Sequence, residues 1–171
     1  MTTGIINIRN AQEDDLVAIL NIYNDAILNT TSVYSEIPHT IEMRRTWYHE
    51  RVNNGFPVLV AETEGKVVGF CTYGHFRVWP CYRYTVEHSV YVDPLFRGQG
   101  ISKLLLRPLI NTARQNGMHA MIAAIDGENQ VSYRLHQSLG FNQVAHFKEV
   151  GFKFGRWLDL LFMELLLDDQ N

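Results

Sequence analysis

Val90-Tyr91-Val92-Asp93-Pro94-Leu95-Phe96-Arg97-Gly98-Gln99-Gly100-Ile101-Ser102-Lys103 passes from a strand-like run, through a proline and two glycines, into a leucine-rich helical segment. Asp93–Pro94 ends the strand, because proline has no amide to give a ladder. Gly98 and Gly100 let the backbone curl until successive amides point inward, and the start of the next helix adds positive potential. Arg97 brings a permanent charge with forked donors suited to phosphate. The physical product is a diphosphate cradle, although a plain strand–helix connection can carry the same glycines. A Walker loop wants Gly-Lys-Ser/Thr, whereas Gly100 is followed by Ile101-Ser102. A dinucleotide fingerprint wants a third glycine where Lys103 stands. Neither matches.

Working outward, residues 5–9 read as a short strand. Asn10, with Glu13 three positions later, resembles a cap ahead of a helix carrying Leu16, Ile19, Leu20, Tyr23 and Ile27 at helical spacing. A loop over 30–38 holds Tyr34 and Glu36, and a second helix over 40–54 stops at Gly55. Strands over 57–62 and 67–77 meet at a Glu64–Gly65 hairpin turn, and a further strand covers 83–92. The helix opened by Gly98 to Gly100 contains Pro108, which predicts a kink or an early break. A strand over 118–125 and a helix over 130–139, closed by Gly140, come next. Strands over 141–150 and 157–166 finish the chain, joined by the Gly151 to Gly155 segment. The order β-α-α-β-β-β-α-β-α-β-β predicts an α+β fold, a mixed central sheet with helices on both faces.

The 171 residues are 46% hydrophobic and 19% charged, the composition of a globular chain, read as one domain over 1–171. Fifteen basic against eighteen acidic residues leave a net charge of −3. That balance gives nucleic acid no broad cationic face, while leaving room for a local basic pocket. Cys71 and Cys81 lack zinc-ligand spacing and read as two reduced, buried thiols; no metal is expected. The first ten residues lack a signal-peptide core, and the apolar run over 160–167 is interrupted by Glu164. That run is far shorter than the ~20 residues of a membrane span, so a soluble cytoplasmic protein is expected.

Arg97-Gly98-Gln99-Gly100-Ile101-Ser102 also fits the acyl-CoA signature Arg/Gln-x-x-Gly-x-Gly/Ala, with Ser102 in place of the final small residue. On this motif and the element order the chain resembles the GNAT superfamily of N-acetyltransferases. Tyr84-Thr-Val-Glu87-His-Ser-Val-Tyr-Val92, Asn129-Gln-Val-Ser-Tyr-Arg-Leu-His136-Gln-Ser-Leu-Gly-Phe141 and Gly151-Phe-Lys-Phe-Gly-Arg-Trp157-Leu-Asp159 narrow the resemblance. They look like the phosphinothricin N-acetyltransferase branch, which includes enzymes acting on methionine sulfoximine and methionine sulfone. The resemblance implies acetyl-CoA as cosubstrate, its pantetheine arm along Ser89, Val90, Tyr91 and Val92. Its phosphates would lie within Arg97, Gly98, Gln99, Gly100, Ile101, Ser102 and Lys103. Asn129 would meet the arm, and it also reads as the N-cap of the helix starting at Gln130.

Alternation places Glu87 with Thr85 and Ser89 on one face of its strand. Spacing alone is equally compatible with a structural pair to Arg77 or Arg83; the resemblance makes Glu87 the base that deprotonates the attacking amine. It also puts His136, rather than Tyr133, where many relatives carry a Tyr that protonates the leaving thiolate. A satisfied structural histidine is the plain alternative for His136, and a thiolate that leaves unprotonated needs no donor. Phe76, Arg77, Arg83 and Tyr84 bracket the turn into the Glu87 strand. Arg77 and Arg83 suit anionic groups of a substrate, with Phe76 and Trp79 as walls or as ordinary filler. Tyr34 and Glu36 resemble the family's N-terminal loop at the same pocket. Lys153 and Trp157 are read as reaching a neighbouring subunit, since relatives form homodimers.

The expected activity is acetylation of the α-amino group of small amino-acid analogues by direct attack in a ternary complex. Acetylation of polyamines, protein N-termini or aminoglycosides is the first alternative. A non-catalytic acyl-CoA-binding module is the second.

Overall fold

Val58, Leu59, Val60 and Ala61 are all buried although they alternate in direction, the mark of a strand covered on both faces. The computed structural model describes residues 4–167, so residues 1–3 of the N-terminal stretch and residues 168–171 lie outside it. In chain order the elements are β1 (Asn7–Asn10), α1 (Leu16–Asn29), α2 (Ile41–Asn53), β2 (Val58–Thr63), β3 (Lys66–His75) and β4 (Thr85–Val92). There follow α3 (Ile101–Gln115), β5 (Ala120–Asp126), α4 (Gln130–Gln137), β6 (Asn142–Lys153) and β7 (Arg156–Leu166). The strands form one mixed sheet in the order β1-β2-β3-β4-β5-β7-β6. Leu16, Ile19 and Ile22 of α1 bury against Val58, Val60 and Phe70 on one face. Leu105, Leu106 and Leu109 of α3 bury against Leu59, Val86 and Met121 on the other.

The decisive irregularity lies at the centre of the sheet. β4 and β5 are its parallel pair, and they are in register only from Thr85↔Ala120 to His88↔Ala123. Beyond that rung β4 stays with β3 as far as Gly69↔Val92, and β5 stays with β7 as far as Asp126↔Leu160. The two strands therefore part, and a notch opens between them. A parallel pair needs a crossover, and α3 supplies it.

Three expectations change. α3 runs unbroken through Pro108 to Gln115, because Leu105, Leu106, Leu109, Ile110 and Ala113 hold both halves against the sheet. The turn before α1 is capped by Asp15, whose Oδ2 accepts from the Gln12 amide at 2.8 Å, while Asn10 belongs to β1. Arg9 fixes that carboxylate at 2.7 Å. Cys71 is buried as expected, but Cys81 is exposed, since it falls in the short turn Pro80–Tyr82 between β3 and β4. Among the described residues, no helix is long and apolar enough to cross a membrane.

Candidate active site

A cavity of about 1240 Å³ fills the notch. Its wall includes Glu87, Ser89 to Val92, Arg97, Gly98, Gly100 to Lys103, Asn129 and His136, so the residues expected for catalysis and for the cosubstrate converge there with the exception of Gln99. Gly98 and Gly100 take φ of +79° and +77°, which a side chain would strain, and open space lies where their Cβ atoms would stand. Gly100 is the N-cap of α3 and has no side chain to occupy the free first-turn amides. Arg97 is anchored from behind: Nε donates to the Val92 carbonyl at 3.1 Å and Nη2 to Asp25 at 2.7 Å. The charge of the cradle is thus fixed in place by α1. Asn129 caps α4, its Oδ1 accepting from the Ser132 amide at 3.0 Å, and its amide NH2 remains available to the cavity.

Glu87 stands next to the last rung before the strands part, opposite Ile122 on β5 and Gly74 on β3. Half-burial pushes its carboxyl above the ordinary range, with Arg77 and Arg51 pulling the other way. It makes no hydrogen bond or ion pair with any described residue. The structural pairing to Arg77 or Arg83 does not form, and each arginine stacks on its own neighbour. Arg77 lies 4.2 Å from the Phe76 ring centroid and Arg83 lies 4.7 Å from that of Tyr84. Phe76, Arg77, Arg83, Tyr84 and Glu36 are not in the wall of the cavity, whereas Tyr34 is.

His136 is buried, with Nδ1 2.7 Å from the Ser132 carbonyl and Nε2 3.1 Å from Nε2 of His88. A carbonyl only accepts, so Nδ1 of His136 carries the proton and its Nε2 accepts from His88. Nδ1 of His88 is then a bare acceptor, buried and without a partner. Burial pushes both imidazoles below their ordinary pKa, His88 the more strongly. A neutral His136 therefore has no N–H left to offer a leaving group. In this arrangement both ring nitrogens of His136 are engaged, by the Ser132 carbonyl and by His88.

The opposite wall is the loop after α1. Thr31 Oγ1 donates to Asp126, and the Tyr34 hydroxyl donates to the Asp159 carbonyl at 2.5 Å. The Tyr34 ring lies against Gly151, where a Cβ would collide with it. Burial first, then Asp126 and Asp159, push the Tyr34 phenol up to about 12, so it stays a donor. Glu36 accepts from the Phe154 amide at 3.4 Å. Lys153 overturns its expectation: it is 1% exposed, and its ammonium donates inward to the carbonyls of Ile27, Thr30 and Val33 at 2.5, 2.7 and 2.8 Å. It closes the end of α1 and cannot extend to a neighbour. Trp157 remains exposed beside Phe152. His88, Asp25, Asp126 and Arg51 went unnoticed in the sequence. Only the alternation of β4 pointed at His88; the other three gain their places from tertiary packing.

Residues 18–141 match the Acetyltransferase (GNAT) family. The chain is 46% identical over 164 residues to the L-methionine sulfoximine/L-methionine sulfone acetyltransferase of Salmonella typhimurium, covering 96% of each. A GNAT superfamily phosphinothricin acetyltransferase from Sinorhizobium meliloti, solved in complex with AcCoA, superposes with a TM-score of 0.92 at 38% identity, over 94% of this chain and 88% of that one. A ribosomal-protein-alanine N-acetyltransferase from Brucella melitensis superposes with a TM-score of 0.92 at 49% identity, over 94% and 99%.

Proposed function

Because the chain belongs to the GNAT acetyltransferase family, we propose that its cleft takes acetyl-CoA and delivers the acetyl group to the α-amino group of small amino-acid analogues. The substrate class is that of methionine sulfoximine, methionine sulfone and phosphinothricin, as named for two of the relatives. The observation that carries this reading is Glu87, a carboxylate facing the cavity with no hydrogen-bond or ion-pair partner among the described residues, one rung from the point where β4 and β5 part.

The residues present suit acetyl-CoA. The β4 edge from Ser89 to Val92 lacks a strand partner on its β5 side, and so offers backbone groups to an amide-bearing arm. Gly98 to Lys103 would hold the phosphates on main-chain amides, with Asn129 contributing its amide NH2 to the arm. Acetyl-CoA supplies the acetyl group already activated as a thioester. Glu87 accepts the proton that the acceptor's ammonium must lose, directly or through water, and its raised pKa makes it the better base. The amine nitrogen attacks the acetyl carbon directly and the bond to sulfur breaks; the second proton, made acidic on the nitrogen by acylation, passes to water or to the departing thiolate, so none is required from His136.

Two further readings accompany this one. Phe147, Val150, Phe152 and Trp157 of the β6–β7 hairpin are apolar side chains left exposed, which suits packing of this hairpin against a second copy of the chain in a homodimer. The unpaired thiols of Cys71 and Cys81 suit a reducing cytoplasm. The Brucella melitensis relative favours a second substrate reading, a protein N-terminal alanine. Acetyl-CoA consumption decides between them when measured against methionine sulfone, methionine sulfoximine, phosphinothricin and an alanine-initiated ribosomal peptide. Turnover with the small analogues is expected; turnover with the peptide alone overturns the proposal.

A further inference from the structure

A second cation approaches Glu87 from the helical layer. Arg51, in the last turn of α2, lays its guanidinium on Gly74 of β3, so closely that a Cβ at that position would overlap it. Gly74 is the residue directly opposite Glu87 in the β3–β4 register. The absence of a side chain at 74 is therefore what lets the charge reach across the strand toward the carboxylate. The Arg51 side chain is partly buried, its Nε has no partner, and it forms no ion pair with a described residue. A guanidinium withdrawn from water ordinarily ends in a direct pair with an acid. This one stops beside the acid, without touching it.

That offset has a chemical use. A direct bidentate pair would keep Glu87 charged, but it would occupy the oxygen lone pairs that must receive a proton. A nearby cation without contact stabilises the charge and leaves the lone pairs free. We propose that Arg51 is a positioning residue for proton transfer, holding Glu87 in its charged, proton-accepting form while leaving its oxygens unbonded. This rests on the reading that Glu87 is the base. The charged and titratable groups facing Glu87 are Arg51 from α2, Arg77 from the loop after β3 and Tyr91 from β4 itself. Its sheet neighbours Gly74 and Ile122 bring none. Arg77 is exposed and stacked on Phe76, so Arg51 is the less hydrated of the two cations.

The test combines four variants with two readouts. In Arg51→Met the acidic limb of the kcat/KM profile is expected to move to higher pH by about one unit, since a lost cation raises a carboxyl pKa. Arg51→Lys should restore most of the shift. Gly74→Ala keeps the charge but displaces the guanidinium, and should move the limb in the same direction by less. The second readout is the 13C carboxyl titration of Glu87 in the ligand-free protein, its signal identified by loss in Glu87→Gln. It reports on Arg51 even if Glu87 is not the base. An unmoved Glu87 titration in both Arg51→Met and Gly74→Ala overturns the inference. A titration that shifts, while Glu87→Gln retains full turnover, preserves the electrostatic coupling and removes Glu87 from the chemistry.

Discussion

Nε2 of His88 and Nε2 of His136 lie 3.1 Å apart, the two rings meeting edge to edge at an interplanar angle of 25° with centroids 5.0 Å from each other. Both are buried and both are held neutral by burial, so neither gains a proton in the folded state as readily as in the unfolded one. The folded pKa values are depressed; the unfolded chain binds more protons below its ordinary histidine pKa of about 6.5. Stability is therefore full above that value and is lost as pH falls through it toward the folded pKa values. The loss can reach about 1.4 kcal/mol per pH unit for each histidine. Urea midpoints between about pH 7.5 and 5 should fall accordingly, with a shallower slope in His88→Gln, whose amide can still donate to His136. A slope identical to that of the unsubstituted protein would mean the pair does not titrate on unfolding.

Glu87→Gln keeps the size of the side chain and removes its ability to take a proton. Turnover should fall by about 100-fold or more, as for loss of a general base. Calorimetric affinity for acetyl-CoA should stay unchanged, because the substitution leaves the backbone edge and the glycine cradle intact. Full turnover in this variant excludes Glu87 as the base.

Asn129 has two separable tasks. Asn129→Asp retains the oxygen that caps α4, while Asn129→Ala removes it and should cost about 1 kcal/mol in denaturant unfolding. Both variants lose the amide NH2, so both should bind acetyl-CoA more weakly in a calorimetric titration. Undiminished affinity in the stable Asp variant would confine the residue to its capping role.

Lys153→Met leaves the carbonyls of Ile27, Thr30 and Val33 without their shared donor. Charge-assisted bonds of this kind are each worth a large fraction of domain stability, and a loss of about 3 kcal/mol is expected in urea unfolding. Hydrogen exchange across residues 30–34 should accelerate as well. Unchanged exchange there would mean that Tyr34 and Thr31 hold the loop without help.

The elements were legible in the sequence because their periods are clean. Strands and helices fall where alternation and helical spacing put them, and the glycine turn lies, as its residues suggested, at the start of α3 beside the cavity. Pro108 misled because local backbone chemistry argued for a break while long-range burial of α3 held the helix together. Cys81 misled because residue type says nothing of a turn left in solvent. Lys153 illustrates the deepest gap: its three acceptors lie more than a hundred positions away in the chain, and no spacing rule spans that distance. Glu87 was placed by alternation, but where Arg77 and Arg83 settle, over the rings of Phe76 and Tyr84, is decided by packing that alternation does not report.

The parting of β4 from β5 reaches beyond the chemistry. A bare sheet margin on the outside of a protein invites other polypeptides to zip onto it. Here the bare margin is internal, flanked by two strands of the same sheet, so only a slender guest can reach its rungs. What would be an aggregation hazard at the periphery becomes, in the middle, a gauge that sorts visitors by width.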